Sequence, residues 1–266
     1  HIARIKYMDI NSHDFKRMMG AFNTKRAKPM IKEMLLAMNL NKPYDLLEKD
    51  AEYATKNVEE FFHSVNSKEI QEHYNYWSKI TPEEPEQKFQ RYLFAFLSVH
   101  TSWENNVKAY IRIKDFWNWM GNEEELRSRL IETGVGLHNN RVRFISAFSK
   151  DYWQNRKTDY EKKNSEKWTE YRDRLESRIL GLGLAKTSFA LEMQHPLEAQ
   201  CFCADTHLFQ LYKLNQSKHG RQYKKIEDHW LTWSKMFNIP SYIARSIFWN
   251  RKQKQSNCHY WAYCLQ

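Results

Sequence analysis

Apolar residues recur at helical spacing through most of the chain, and almost nowhere do they alternate with polar ones. Leu46, Leu47, Ala51, Ala54, Val58, Phe61 and Phe62 mark one amphipathic stretch, and a second runs from Ile70 to Ile80. Before them a helix is expected from Pro29, with proline at its first position, to about Met38. Thr81-Pro82-Glu83-Glu84-Pro85 breaks the pattern and sets a boundary. Beyond it Tyr92, Leu93, Phe96 and Leu97 form an apolar helix face that ends in Ser98-Val99-His100-Thr101-Ser102-Trp103. Val107, Ala109, Tyr110, Ile113, Phe116 and Trp117 begin another. Gly134 and Gly136 punctuate a turn ahead of Phe144, Ile145 and Phe148. Residues 151–173 are highly charged and poor in aliphatics, which predicts a solvated linker with a helix at its end. Leu175, Ile179 and Leu180 lead up to Gly181-Leu182-Gly183, and Leu184, Phe189, Ala190 and Met193 resume the spacing. Three further helices are expected: from Ala204 to about Leu214, over Tyr223, Ile226, Trp230, Trp233 and Phe237, and from Pro240 through Phe248. No stretch reads convincingly as a strand, so the expected class is all-α.

Two short stretches in this pattern carry chemistry. Gly181-Leu182-Gly183 is a tight turn between two helical segments. Such a turn leaves bare backbone N–H groups at the start of the second helix, a nest that binds a phosphate without side chains. Asp205 stands just before the apolar run Leu208, Leu211 and Tyr212. It reads as an N-cap or first-turn residue, where the helix dipole favours its charged form. Ile179 to Leu211 thus offers a clamp for phosphate and, one connector later, a fixed carboxylate. An aspartate at a helix start is also a common cap, and the residues alone leave both roles open.

Composition narrows the partner. The chain has 266 residues, with 42 Lys+Arg against 32 Asp+Glu and a net charge of +10. That balance fits a polyanion, with nucleic acid ahead of a membrane surface, although a basic protein without such a partner is equally compatible. Only 7 glycines and 6 prolines argue against a turn-rich all-β fold. Aromatics make up 15% of the chain; core packing explains most of them, and stacking on bases is a use left open to the rest. No apolar run is long enough to span a bilayer, and no signal-peptide pattern is visible.

Three blocks, taken in order, resemble the helix-hairpin-helix DNA glycosylase superfamily. The first is Leu97-Ser98-Val99-His100 with Val107-Lys108-Ala109, and the second runs from Leu130 to Val142. The third pairs the hairpin Ile179-Leu180-Gly181-Leu182-Gly183 with Ala204-Asp205-Thr206-His207. The family hairpin reads Leu-Pro-Gly-apolar-Gly, and here Leu180 replaces the proline. The resemblance covers residues 87–213. It implies two helical subdomains flanking a cleft, with Asp205 at its mouth. The expected layout is an N-terminal helical region at 1–85, a glycosylase-like core at 86–215 with its hairpin at 175–194, and C-terminal helices at 216–266 completing the second subdomain. It also implies a monomeric enzyme acting on double-stranded DNA, in which Asp205 drives cleavage of the N-glycosidic bond of a flipped, damaged or modified base. Gly181, Gly183, Lys186, His100, Asn139 and Arg141 are the implied DNA contacts, His100 filling the gap left by the extruded base.

Lys186 carries a second question. Bifunctional relatives place a nucleophilic lysine two residues after the second hairpin glycine, where this chain has Ala185. Lys186 is one residue further on, and a helix turns about 100° per residue. Its side chain is therefore expected to swing away, which favours a monofunctional enzyme with Asp205 guiding water. A Schiff-base role for Lys186 is the second reading.

The four cysteines are Cys201, Cys203, Cys258 and Cys264. Their spacing matches no common zinc site. Some relatives bind an iron–sulfur cluster through four C-terminal cysteines, but Phe248 and Gln255 occupy two of those positions. No cluster or other metal is expected, apart from a monovalent cation at the hairpin. The expectation is free thiols in a reducing compartment, cytoplasm, nucleoid or nucleus. Two other readings remain at this point: a DNA-binding module with the hairpin but no catalysis, and a glycosylase-like enzyme of base hypermodification.

Overall fold

The computed structural model describes residues 48–253, with side chains from residue 55 onward. The helix expected at Pro29–Met38 and the tail carrying Cys258 and Cys264 lie outside the described residues. The elements in order are α1 Glu48–Ser64, α2 Ser67–Lys79, α3 Pro85–Leu97, α4 Trp103–Ile113, α5 Glu123–Glu132 and α6 His138–Asp159. They continue as α7 Trp168–Arg178, α8 Leu184–Gln194, α9 Thr206–Leu211, α10 Gln216–His219, α11 Tyr223–Phe237 and α12 Ser241–Gln253. Two short 3₁₀ turns, Phe116–Asn118 and Gly220–Gln222, complete the set. Among the described residues there is no strand, as the periodicity predicts.

Local sequence explains most boundaries. Asn66 accepts from the Glu69 N–H while the Glu69 carboxylate takes the Asn66 N–H, a reciprocal box that starts α2. Pro85 opens α3 at a position where its missing N–H costs nothing. Ser102 caps α4 and Asn122 caps α5, each through the N–H three residues on. Asn238, in the left-handed region with φ 53°, stops α11.

Two helices form the axis of the molecule. From Tyr92 to Leu97 every residue of α3 is buried, and so is every residue of α8 from Thr187 to Gln194. These two pack on each other, and α8 carries Thr187, Ser188, Glu192 and Gln194 into the interior with its apolar residues. On one flank α4, α5 and α6 fold around α3. On the other, α1 and α2 pack against α11 and α12. Phe62 packs on Trp230 at 4.9 Å between ring centres, and Trp77 on Tyr242 at 4.6 Å. The described part of the N-terminal region and the C-terminal helices therefore share one layer.

The charged stretch after residue 151 is not a linker in its first half. Helix α6 continues through it to Asp159, because one face stays in the core while the other is tied by ion pairs. Tyr152 and Tyr160 are buried. Arg178 reaches back to Asp151 at 2.5 Å and to Asp159 at 3.0 Å. Charge density alone did not reveal that the aromatic residues keep a core-facing stripe.

Candidate active site

The hairpin lies between α7 and α8, and its two glycines are not equivalent. Gly181 adopts φ +92°, and a Cβ there would stand 2.5 Å from Phe144 Cδ2 on α6. Both the conformation and the contact exclude any larger residue. Gly183 has φ −83°, and a Cβ there would meet nothing within 4 Å. It is the N-cap of α8, and its carbonyl accepts from the N–H groups of Lys186 and Thr187, both at 3.0 Å. The N–H groups of Leu184 and Ala185 find no acceptor among the described residues, which leaves the open backbone that the Gly-x-Gly pattern predicts. Leu180, where the family has proline, is exposed.

Asp205 is the N-cap of α9. Its Oδ1 accepts from the N–H groups of His207 at 2.9 Å and Leu208 at 3.0 Å. Oδ2 takes part in no hydrogen bond among the described residues. The chain reaches this point through a fully buried segment, Cys201 to Ala204. That segment hangs between two buried carboxylates. Glu227 Oε1 takes the Phe202 N–H at 2.9 Å, and Glu192 Oε1 takes the Cys203 N–H at 3.1 Å. The Ser241 hydroxyl donates to the Cys201 carbonyl at 3.2 Å. Cys201 and Cys203 are free thiols, and burial pushes the Cys203 thiol up to about 12, so both are inert packing residues.

A cavity of about 150 Å³ opens between the two flanks. Its aromatic lining comes from four elements: Trp77 of α2, Trp103 of α4, Phe189 of α8, and Tyr242 and Trp249 of α12. Asp205 and Lys186 both line it. Lys186 therefore faces the cavity although it stands one residue beyond the position of the family's lysine. Which way α8 faces is decided by the burial of Phe189, one turn further on, and not by counting from Gly183. Lys186 shares that inward stripe, its amine 5.8 Å from the centre of the Phe189 ring.

Below the cavity lies a buried ion pair. Arg245 Nη2 stands 2.7 Å from Glu192 Oε2, with the two side chains 8% and 0% exposed. Burial raises the Glu192 carboxyl to about 7 against the downward pull of Arg245 and of the Cys203 N–H. The Arg245 guanidinium also lies over the rings of Phe189 at 5.1 Å and Tyr242 at 5.0 Å.

The remaining sequence candidates fall around the rim. His100 is exposed at φ 46° on the loop whose Ser98 and Thr101 line the cavity. Asn139 is exposed at the start of α6, its Oδ1 accepting from Arg127. Arg141 is not available to DNA. It is 4% exposed, and its guanidinium donates to the carbonyls of Gly136 at 2.7 Å, Phe96 at 3.0 Å, Leu97 at 3.2 Å and Val99 at 2.7 Å. It ties the His100 loop to the turn before α6, where Leu137 is exposed at φ 59°. Sequence reading missed Asn106, Tyr242 and Arg245, which line the cavity from helices far apart in the chain.

No family model matches the sequence, and no curated protein matches it significantly. The structure is similar to the crystal structure of Methanocaldococcus jannaschii 8-oxoguanine DNA glycosylase, with a TM-score of 0.57 at 18% identity. The match covers 70% of this chain and 87% of that one. The chain has the helix-hairpin-helix glycosylase fold. In that fold Lys186, on the first turn after the hairpin, and the cap at Asp205 line one cavity. Among the described residues no group of three or more His, Cys, Asp or Glu side chains is placed to hold a metal ion, and no helix is long and apolar enough to cross a membrane.

Proposed function

We propose that the chain is a DNA glycosylase that releases a damaged or modified base held in the aromatic cavity. The observation that carries this reading is that Asp205 and Lys186, from separate segments, line one cavity beside a hairpin with open N–H groups. Breaking an N-glycosidic bond develops positive charge on the sugar and requires the base outside the stack. A carboxylate fixed by two backbone N–H groups stabilises that charge without reorganising. The hairpin N–H groups grip a phosphate beside the target nucleotide, and His100 and Leu137, on loops tied together by Arg141, meet the strands at the rim. The neighbour's 8-oxoguanine activity supports the reaction class and leaves the base of this chain open.

The position of Lys186 changes the expected mechanism. Its amine shares the cavity with Asp205, so it attacks the sugar C1′ as the bond to the base breaks. The bonding pair leaves with the base, and loss of a proton from nitrogen and opening of the sugar give a Schiff base. Single-turnover base release with borohydride present tests both roles. Asp205→Asn keeps the cap, since Asn and Asp serve alike there. It should lower the rate by about 10²–10³ while the protein melts normally and binds duplex at least as well. Lys186→Ala should abolish covalent trapping. Base release without any trapping would return water as the nucleophile, and near-normal release by a well-folded Asp205→Asn protein would remove the reading.

A further inference from the structure

The chain beyond α9 carries charge of one sign. From Thr206 to Ile226 it holds no Asp or Glu, although these make up 32 of the 266 residues, and it holds Lys213, Lys218, Arg221, Lys224 and Lys225. Lys213, Lys218 and Arg221 are exposed. Lys213 stands at φ 56° just past α9, Lys218 lies on α10, and Arg221 lies on the 3₁₀ turn that follows. Lys218 and Arg221 make no ion pair among the described residues. Lys224 differs, because its amine is engaged by Asp173 of α7 at 2.6 Å. The next acids along the chain do not offset the strip. Glu227 is buried on Arg172, and Asp228 lies in the field of Arg172 and Lys224.

This strip is pinned to the candidate site. Gln216, the first residue of α10, accepts from the Thr206 hydroxyl at 2.7 Å and donates to the Ala204 carbonyl at 3.5 Å. Those two residues flank Asp205. Asn215 caps α10 by accepting the N–H groups of Ser217 at 3.0 Å and Lys218 at 3.3 Å. The cations are therefore held beside Asp205 on a fixed turn. Exposed cations with no acid among them suit a polyanion backbone, each one neutralising a phosphate. Such contacts fix register and orientation without reading sequence. We infer that the segment from Lys213 to Arg221 is a second contact to the DNA backbone, beside Asp205 and separate from the hairpin, with Lys218 and Arg221 each meeting a phosphate. The inference rests on the glycosylase reading for DNA as the polyanion. With one anchor a duplex can pivot, whereas the hairpin and this strip together fix its register over Asp205.

The double variant Lys218→Gln/Arg221→Gln tests this, with Lys163→Gln/Lys167→Gln as its control. The control removes the same charge at the start of α7, the end away from the hairpin. All four side chains are exposed, so both variants should melt with the parent. Binding of an unmodified duplex is titrated across salt. The strip variant should bind about 10–60-fold more weakly at ~0.1 M salt, and its slope of log affinity against log salt should shrink by about 2, roughly one for each lost phosphate. The control should keep the parent slope. Single-turnover base release at saturating protein should not change, since Asp205 and Lys186 are untouched. A parent slope in the strip variant, or an equal fall in the control, would overturn the inference. So would weaker binding to phosphatidylserine vesicles with duplex binding intact, which would make the strip a membrane contact. A reduced slope with no base released from any duplex would sink the glycosylase reading and leave the strip standing as a DNA surface. An unchanged slope, with base release that Asp205→Asn abolishes, would do the reverse.

Discussion

Helix α8 touches two buried arginine–glutamate pairs that differ in one respect. Arg172 meets Glu227 through two parallel bonds at 2.7 and 2.8 Å, and its other donors reach Ser188 at 2.8 Å and Asp173 at 2.6 Å. Glu227 also takes the Phe202 N–H. Every nitrogen of that guanidinium group donates within the fold. Arg245 meets Glu192 through one contact and keeps its Nε unmet beside a cavity with two more unmet residues. The chemistry of the pairs is the same, and the accounting of hydrogen bonds is not. A saturated network rigidifies the interior, whereas a partly satisfied one leaves buried polar groups at a cost in stability.

The largest effect should come from breaking the saturated pair. Arg172→Met strands Glu227 in the interior and should cost about 3–5 kcal/mol of stability in denaturant titration. Arg245→Met should cost less, because Glu192 already titrates at about 7 and can take a proton. Equal losses would erase the distinction between the two pairs.

The hairpin glycines sharpen the contrast at a smaller scale. Gly181→Ala forces a left-handed conformation worth about 1–2 kcal/mol and drives a Cβ into Phe144. Gly183→Ala has room and should cost under about 1 kcal/mol. Its effect should fall on duplex affinity instead, read by titration at fixed salt, since the new methyl group crowds the open N–H groups.

A pH slope offers a further test of the Glu192 pair. The folded Glu192 carboxyl holds its proton up to about 7, whereas the unfolded one releases it near the usual carboxylate value of 4.5. Its contribution to stability is present below about 4.5 and is lost as pH rises through about 7. Glu192→Gln should flatten the fall in melting temperature over that interval. An unchanged slope would show that Arg245 holds the carboxylate ionised throughout.

The parts of this site legible in the sequence are those whose chemistry is local. A Gly-x-Gly between helical runs, and an aspartate ahead of one, announce an open N-terminus and a cap within a few residues. The all-α class followed from periodicity for the same reason. Arg141 misled because a basic residue beside a turn reads as a surface contact, while its acceptors lie at residues 96–99, a separate turn of the chain. The orientation of Lys186 was not legible, because the facing of α8 is set by packing around Phe189. Asn106, Tyr242 and Arg245 carried no signal at all, since their lack of partners is a property of the assembled interior.

Arg141 has a consequence for the thermodynamics of recognition. By gathering the carbonyls of Phe96, Leu97, Val99 and Gly136 onto one buried guanidinium, it fixes the loops that bear His100 and Leu137 when the chain folds. Their conformational entropy is lost once, at folding, and not again when a ligand is met. On the proposed glycosylase reading, the rim would meet DNA already shaped, and the disorder removed on binding would fall mainly on the nucleic acid.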